Sequence, residues 1–239
     1  MTVLMGILAV ALISMPVYGG VARSRHDANE ITDRGTFVLG AFVRGWFYWF
    51  IWPVERAALA MGISPTAFNL LGVAFGIAGG VLFASGHVNL GGWCVLMGGV
   101  ADILDGRVAR ARGQANQMGA FLDSTLDRFA EVGAFVGLAV LFRESSFHLV
   151  LVVTALGGSL LVSYARARGE SLGVVCKVGV MQRAERLLLV GFGGILDPAV
   201  TAWRGWDAGT VLIALLAIVA VGTVGTAIYR TIWIARRLS

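Results

Sequence analysis

Four aspartates stand at two neighbouring places along the chain, and their spacing sets each pair on one face of a helix. Asp102 and Asp105 are three residues apart, and Asp123 and Asp127 are four apart. Because residues at these separations share a helix face, two adjacent antiparallel helices would bring the four carboxylates together. Such carboxylates repel one another unless cations lie between them, and oxygen ligands favour Mg²⁺ or Mn²⁺ over zinc. The spacing therefore predicts a site for divalent cations.

The residues between the two acidic pairs favour a phosphate-bearing substrate. Metal ions held by carboxylates commonly bind phosphates, neutralise their oxygens and stabilise the leaving group of an in-line displacement. Gly106 and Gly119 remove side chains where a bulky ligand must approach the backbone, and Ala109 does so in part. Arg110 can pair with a phosphate or stack on a base. We therefore expect a pyrophosphate substrate.

The composition indicates that these acids belong to a membrane protein. Of 239 residues, 57% are hydrophobic and only 14% are charged, whereas soluble domains carry about 25% charged residues. An ionisable residue at membrane depth is costly, and its presence is a functional hypothesis by default. The net charge of +5 is spread along the chain rather than gathered in a basic tract, so we expect membrane lipids and no nucleic acid as partners.

Seven apolar runs have the length scale of segments that cross about 30 Å of hydrocarbon. They lie near residues 1–19, 65–85, 90–104, 119–142, 146–165, 186–203 and 208–235. The predicted fold is therefore an all-α integral membrane bundle of six core helices, with an extra transmembrane helix at 1–19. That first run also fits a signal peptide, although no basic segment precedes it. A cytoplasmic segment with an interfacial helix is predicted at 20–62, and the membrane domain at 63–239.

The stretch Gly40–Gly62 combines dense aromatic residues with flanking charges. This pattern is typical of a helix lying in the headgroup layer, although a spanning helix is the alternative. Basic residues alternate between the connections of the apolar runs. One set carries Arg107, Arg110, Arg112, Arg166, Arg168, Lys177, Arg183, Arg186, Arg236 and Arg237, and the opposite set carries Arg143 and Arg204. The positive-inside rule then places the first set and the C-terminus in the cytoplasm and Met1 outside.

The acidic pairs and the small residues between them form one longer pattern. It runs Asp102-x2-Asp105-Gly106-x2-Ala109-Arg110-x8-Gly119-x3-Asp123-x3-Asp127 and resembles the complete signature of the CDP-alcohol phosphotransferase family. The resemblance covers about 175 residues from Pro65 to the C-terminus. It implies a six-helix membrane fold, usually dimeric, with a surface helix before it and an active site that opens to the cytoplasm.

The same resemblance implies roles for individual residues. Asp102, Asp105 and Asp123 would hold a first metal ion, and Asp127 would contribute to a second and act as the general base. Residues implied to bind CDP are Asp102, Asp105, Gly106, Ala109, Arg110 and Gly119. Many family members read Pro-Asn-x-x-Thr at the start of the second apolar run, where this chain reads Pro65-Thr-Ala-Phe-Asn69. A nucleotide contact from Asn69 is expected despite that exchange.

A later basic segment bears on the acceptor alcohol. Ser163 and Arg166 share one helix face, and Arg183 and Arg186 share another, so two helices could direct three charges at one phosphate. The segment is similar to that of phosphatidylinositol-phosphate synthases, which implies inositol phosphate as acceptor. Ala184 stands where relatives often have Pro, and inositol, glycerol phosphate and serine stay open as acceptors.

Together these features predict an enzyme that transfers a phosphatidyl-type group from a CDP-alcohol, such as CDP-diacylglycerol, to an alcohol and releases CMP. It would work as a homodimer in the inner cell membrane with two Mg²⁺ or Mn²⁺ ions. A membrane prenyltransferase and a proton-coupled transporter are the alternatives. Glu131, near the acidic cluster, is expected to lie inside its helix or to pair between helices rather than to touch the substrate.

Overall fold

A computed structural model describes residues 2–21 and 40–239, and every regular element within those ranges is an α-helix. The helices are α1 (Thr2–Val21), α2 (Gly40–Ala60), α3 (Pro65–Ala84), α4 (Val88–Ala111), α5 (Gln117–Leu141), α6 (Ser146–Ser171), α7 (Arg183–Arg204) and α8 (Thr210–Leu238). They divide into two units, Met1–Ile63 and Ser64–Ser239. The all-α prediction is confirmed. The part of the predicted cytoplasmic segment between 22 and 39 lies outside the described residues.

The first unit contains α1 and α2, which contact each other through aromatic and hydroxyl side chains. Trp46 Nε1 donates to Ser14 Oγ at 2.9 Å, and the Tyr18 ring lies 5.5 Å from that of Phe42 and 5.9 Å from that of Trp49. A helix is therefore present in both predicted places. The headgroup position of α2 stays a prediction that follows from its aromatic content.

The second unit consists of the six predicted core helices. Five of them, α3, α4, α6, α7 and α8, are long and apolar enough to cross a membrane. The sixth, α5, carries Asp123, Asp127, Arg128 and Glu131 between its start and its middle turns, which lowers its hydropathy without shortening it. Since consecutive helices reverse direction, the starts of α3, α5 and α7 lie at the same end of the bundle as the ends of α4, α6 and α8. We call this the site end.

Local capping fixes where α3 and α5 begin at the site end. Ser64 Oγ accepts from the Ala67 amide at 3.2 Å, and Pro65 occupies the first helical turn of α3. Asn116 Oδ1 accepts from the Gly119 amide at 2.8 Å. Side-chain oxygens at these positions satisfy amides that the first helical turn leaves without partners. The two caps therefore fix the first turns of α3 and of α5, and α5 carries Asp123 and Asp127.

Small residues allow α5 to lie very close to α3. A Cβ atom added to Gly76 would fall 2.6 Å from the Ala130 Cα, and one added to Gly80 would meet the Gly133 backbone. Close backbone approach through small side chains is how membrane helices gain packing energy, because lipid supplies no hydrophobic force between them. Asp127 lies one turn before Ala130, so this contact fixes the position of the acidic face of α5.

At the opposite end of the bundle, a buried carboxylate joins α7 to α8. Asp197 is 1% exposed and accepts from the amides of Gly209, Val211 and Leu212 at 2.8, 2.8 and 3.2 Å. The carboxylate thereby replaces the missing side-chain cap of α8 and complements the positive end of its dipole. This contact fixes the angle between the last two helices.

Candidate active site

Three of the four predicted aspartates converge at the site end. Asp102 projects from α4, and Asp123 and Asp127 project from α5. One carboxylate oxygen of each lies within 4.8 Å of the others. All three side chains are partly buried, so they are accessible from the site end without being fully solvated. The convergence that the helical spacing predicted is confirmed for these three residues.

Asp105 lies one turn after Asp102 on α4 and is more buried than Asp102. Its side chain is only 4% exposed, and its Oδ1 accepts from the amide of Gly106. Asp102 and Asp123 are among its charged neighbours, but among the described residues it stands outside the group of three. Its role as a metal ligand stays a prediction.

The donors in this cluster fit a divalent cation. Asp123 Oδ1 is buried and, among the described residues, finds no hydrogen-bond donor. A buried carboxylate oxygen without a partner is energetically costly, and a coordinated cation would remove that cost. The three ligand atoms are hard oxygens at separations that a single ion can bridge. The cluster is therefore suited to divalent metal, as the sequence predicted.

Arg183, at the start of α7, reaches into the same cluster. Its Nη1 lies 2.5 Å from Asp102 Oδ2, and its Nη2 lies 2.6 Å from Asp127 Oδ1. The planar guanidinium thus bridges two carboxylates on two different helices, a geometry that lysine cannot reproduce. The sequence had indicated Arg183 as an acceptor-binding residue, and the structure places it directly against the aspartates.

Arg186, one turn further along α7, lies in a buried ion pair. Its Nε donates to Glu131 Oε1 at 2.8 Å and its Nη2 to Glu131 Oε2 at 3.3 Å. The two side chains are 2% and 5% exposed. Glu131 therefore pairs between helices, as expected. Since Arg186 is enclosed by this contact, the acceptor-binding role predicted for it receives no support from its surroundings and stays a prediction.

The other two acceptor candidates occupy separate settings on α6. Ser163 lines a groove of about 450 Å³ between α5 and α6, together with Ser124, Arg128 and Tyr164. Arg166 is exposed near the end of α6 and pairs with Glu170 at 2.8 Å. The four predicted acceptor residues thus lie at one end of the bundle, but the structure does not gather them into a single pocket.

The other residues predicted to bind CDP lie on helix turns at the site end. Gly106 and the half-buried Ala109 lie in the last turns of α4, and the exposed Arg110 follows them. Gly119 is exposed in the first turn of α5, and a Cβ atom there would meet only Asn116 Oδ1 at 3.5 Å. Space therefore remains above Gly119 for a ligand. Asn69 is half-buried near the start of α3.

Two arginines near the site were not predicted as functional. Arg128 lies 3.7 Å from Asp127 Oδ2 and donates to the Ser124 carbonyl at 2.5 Å. Arg230, 3% exposed in α8, donates to the carbonyls of Val178 and Val162 at 2.7 and 2.9 Å. The sequence did contain a signal for Arg230, since it lies inside the apolar run 208–235. An ionisable residue at membrane depth is costly and indicates a structural or functional role.

Comparison with known proteins connects this geometry to a family. The family model of CDP-alcohol phosphatidyltransferase matches residues 62–234. A phosphatidylinositol phosphate synthase of Streptomyces avermitilis is 34% identical over 211 residues, which cover 84% of this chain and 84% of that protein. An archaetidylinositol phosphate synthase of Methanothermobacter thermautotrophicus is 35% identical over 185 residues, which cover 77% of this chain and 90% of that protein.

Solved structures of a mycobacterial relative share the fold. The phosphatidylinositol phosphate synthase of Mycobacterium tuberculosis with CDP-DAG bound superimposes with a TM-score of 0.67 at 29% identity, covering 76% of this chain and 92% of that one. Its complex with manganese and citrate gives a TM-score of 0.66 at 30% identity, covering 76% and 88%. These two structures contain a CDP-lipid and a divalent metal on the same fold.

Proposed function

The chain belongs to the CDP-alcohol phosphatidyltransferase family, and on that premise we propose that it transfers a phosphatidyl group from CDP-diacylglycerol to a hydroxyl of inositol phosphate and releases CMP. Family membership makes it a membrane-embedded transferase of phospholipid synthesis. The observation that carries the proposal is the convergence of Asp102, Asp123, Asp127 and Arg183 at one end of the bundle. The relatives named as inositol phosphate synthases support the choice of acceptor.

The proposed reaction is an in-line displacement at phosphorus. The acceptor oxygen forms a bond to the phosphorus that bears the diacylglycerol, and the bond from that phosphorus to the CMP oxygen breaks. A first Mg²⁺ or Mn²⁺ ion held by Asp102, Asp105 and Asp123, and a second ion to which Asp127 contributes, would neutralise the pyrophosphate and stabilise the leaving CMP. Asp127 takes the proton of the attacking hydroxyl. The ion pair between Asp127 Oδ1 and Arg183 Nη2, at 2.6 Å, holds the Asp127 carboxylate in the aspartate cluster.

Binding of the cytidine and its phosphates is assigned to the ends of α4 and α5. Arg110 is exposed at the end of α4, where a guanidinium can pair with phosphate oxygens or stack on the base. The space above Gly119 lets the nucleotide approach the start of α5, whose amides and dipole favour anions. Asn69 would contact the nucleotide from α3.

The active site is proposed to face the cytoplasm of a cell with the protein in its inner membrane. The connections at the site end carry most of the basic residues, whereas Arg143 and Arg204 lie at the other end, and the positive-inside rule orients such a protein with its basic loops in the cytoplasm. Both substrates would then be reached from that side. A homodimer is proposed from the family resemblance.

An acceptor screen tests the proposed function directly. The purified protein in detergent or nanodiscs is supplied with CDP-diacylglycerol, and CMP release is measured with inositol phosphate, inositol, glycerol phosphate or serine. We expect the highest kcat/KM with inositol phosphate. Arg166 and Arg183, the two predicted acceptor arginines that are not enclosed, can each form charge-assisted hydrogen bonds to its phosphate. A higher kcat/KM with an unphosphorylated alcohol would contradict the proposed acceptor and leave the transferase assignment in place.

Substitution of Arg166 separates acceptor binding from lipid binding. Its ion pair with Glu170 is exposed, so the pair itself adds little stability and the guanidinium can turn to a phosphate at small cost. Arg166→Gln is expected to raise the KM for inositol phosphate by about tenfold, because a charge-assisted hydrogen bond contributes roughly 1.5–3 kcal/mol. The KM for CDP-diacylglycerol should stay the same.

The matched control for Arg166→Gln is Arg237→Gln. Arg237 is exposed at the same end of the bundle and stacks on Trp233, 3.3 Å from its ring centroid. We assign it to the orientation of the protein in the membrane rather than to acceptor binding. Its substitution should therefore leave both KM values unchanged. Initial CMP release at varied inositol phosphate and varied CDP-lipid measures the two constants. Equal KM values for wild type and Arg166→Gln would remove Arg166 from the acceptor site.

A further inference from the structure

Glu131 and Arg186 form a second layer of charge directly behind the aspartate cluster. We propose that Glu131 is a positioning residue: through Arg186 it fixes the first turn of α7, and thereby places the Arg183 guanidinium against Asp102 and Asp127. Glu131 itself would touch neither substrate. The effect on the acceptor rests on the proposed function, whereas the effect on metal binding does not.

The two layers follow from helix geometry. Glu131 comes four residues after Asp127 on α5, and Arg186 comes three residues after Arg183 on α7, so in each helix the two side chains share a face. Arg183 joins α7 to Asp127 in the outer layer at 2.6 Å. Arg186 joins α7 to Glu131 in the inner layer at 2.8 Å. The same two helices are therefore connected twice, and the inner connection is the buried one.

Arg186 also holds the backbone that leads into α7. Gln182 occupies the cap position without a side-chain hydrogen bond to the first turn. Instead, Arg186 Nη1 donates to the Met181 carbonyl at 3.4 Å, and the Met181 amide donates to Thr226 Oγ1 of α8 at 3.1 Å. Both backbone groups of Met181 are thus held, two residues before Arg183.

Packing alone does not hold this region. A cavity of about 30 Å³, lined by Glu131, Arg183 and Arg186 among others, lies between α3, α4, α5 and α7. Close packing is therefore incomplete beside the ion pair. Separating a buried pair leaves an uncompensated charge in a medium of low dielectric, which makes the pair a strong geometric constraint even where it adds little stability. The ion pair therefore determines where Arg183 can reach.

The test uses substitutions that keep the net charge of the site. Glu131→Asp withdraws the carboxylate by one methylene, and Arg186→Lys removes the bidentate fork. Each is combined with Arg183→Gln, and Glu144→Asp serves as the matched control because Glu144 is exposed at the other end of the bundle. Binding of Mn²⁺ is measured by electron paramagnetic resonance on the full chain in detergent, alongside the KM for inositol phosphate. Thermal unfolding identifies any variant that fails to fold. If either Glu131→Asp or Arg186→Lys fails to fold, the other substitution tests the positioning role.

Arg183 holds positive charge between two ligands of the cation, so its removal should tighten Mn²⁺ binding by about tenfold. Glu131→Asp should tighten Mn²⁺ binding by about threefold and raise the KM for inositol phosphate by about tenfold, since small displacements of a positioned group have large effects. Loss of structure would weaken metal binding instead. In the Arg183→Gln background, Glu131→Asp should change neither quantity, because residues that act through one another are not additive.

Two results would overturn the inference. One is weaker Mn²⁺ binding in Glu131→Asp, and the other is an equal effect of Glu131→Asp with and without Arg183. If wild-type CMP release does not depend on inositol phosphate, the proposed acceptor is wrong, and the Mn²⁺ measurements still decide the role of Glu131.

Discussion

Removal of divalent cations is expected to reduce CMP release to background. Asp102, Asp123 and Asp127 converge within 4.8 Å, and Arg183 is the cation that the structure shows between two of them. Arg183 and Arg128, which lies 3.7 Å from Asp127 Oδ2, cannot neutralise these carboxylates and an incoming pyrophosphate together, so without metal ions the substrate would be repelled. Excess chelator should therefore abolish turnover, as measured by CMP release from CDP-diacylglycerol.

Re-addition of metal provides the control. Mg²⁺ or Mn²⁺ should restore the rate, because the three grouped ligand atoms are carboxylate oxygens, which these ions prefer. Recovery should be saturable, and thermal unfolding before and after chelation shows whether the fold survives the treatment. Full turnover in excess chelator would remove the metal site from the mechanism and require another source of positive charge at the pyrophosphate.

The fold was predictable because hydropathy and helix periodicity are local properties. Each of the six core runs became a helix, but several helices extend beyond the run that predicted them. α4 continues to Ala111 through Arg107 and Arg110, and α6 continues to Ser171, whereas the runs were placed at 90–104 and 146–165. Hydropathy detects the length in contact with lipid, and these helices continue as polar turns at the site end. Those extra turns carry several of the predicted site residues, among them Asp105, Arg110 and Arg166.

The aspartate cluster was predictable for a related reason. Spacings of three and four residues determine which side chains share a face, and the packing of both α4 and α5 against α3 brings the two faces together. How far neighbouring helices cover each side chain was not determined in this way. Asp105 is more buried than Asp102 although it lies one turn nearer the end of α4, whereas the spacing alone treated the two residues as equivalent.

Pairings between helices that are distant in sequence could not be predicted. Arg183 and Arg186 share a face of α7, and on that ground both were expected to bind one acceptor phosphate. The packing of α7 beside α4 and α5 gives each arginine a different acid: Arg183 meets Asp102 and Asp127, and Arg186 meets Glu131. Nothing in the local sequence specifies which helix lies opposite such a face. The different partners of Arg183 and Arg186 are therefore visible only in the three-dimensional structure.

Asp127→Asn is expected to lower the rate of transfer by about 10²–10⁴, the usual contribution of a general base. The substitution keeps the shape of the side chain and removes its ability to take the proton of the acceptor hydroxyl. Asp102 and Asp123 keep their carboxylates, so one cation and the CDP-lipid should still bind. The measurements are kcat from initial CMP release and the dissociation constant of CDP-diacylglycerol.

The control for Asp127→Asn is Asp102→Asn, which removes a carboxylate from the same cluster without removing the proposed base. Since Asp102 is assigned to the first metal ion and to CDP binding, its loss should weaken CDP-lipid binding as well as slow the reaction, whereas Asp127→Asn should act mainly on kcat. Both substitutions break one contact of the Arg183 bridge, so a shared part of the two defects is attributable to Arg183. The assignment of roles therefore depends on the difference between the variants. Equal losses of CDP-lipid affinity in the two would show that Asp127 is a ligand like the others and that the proton of the acceptor goes elsewhere.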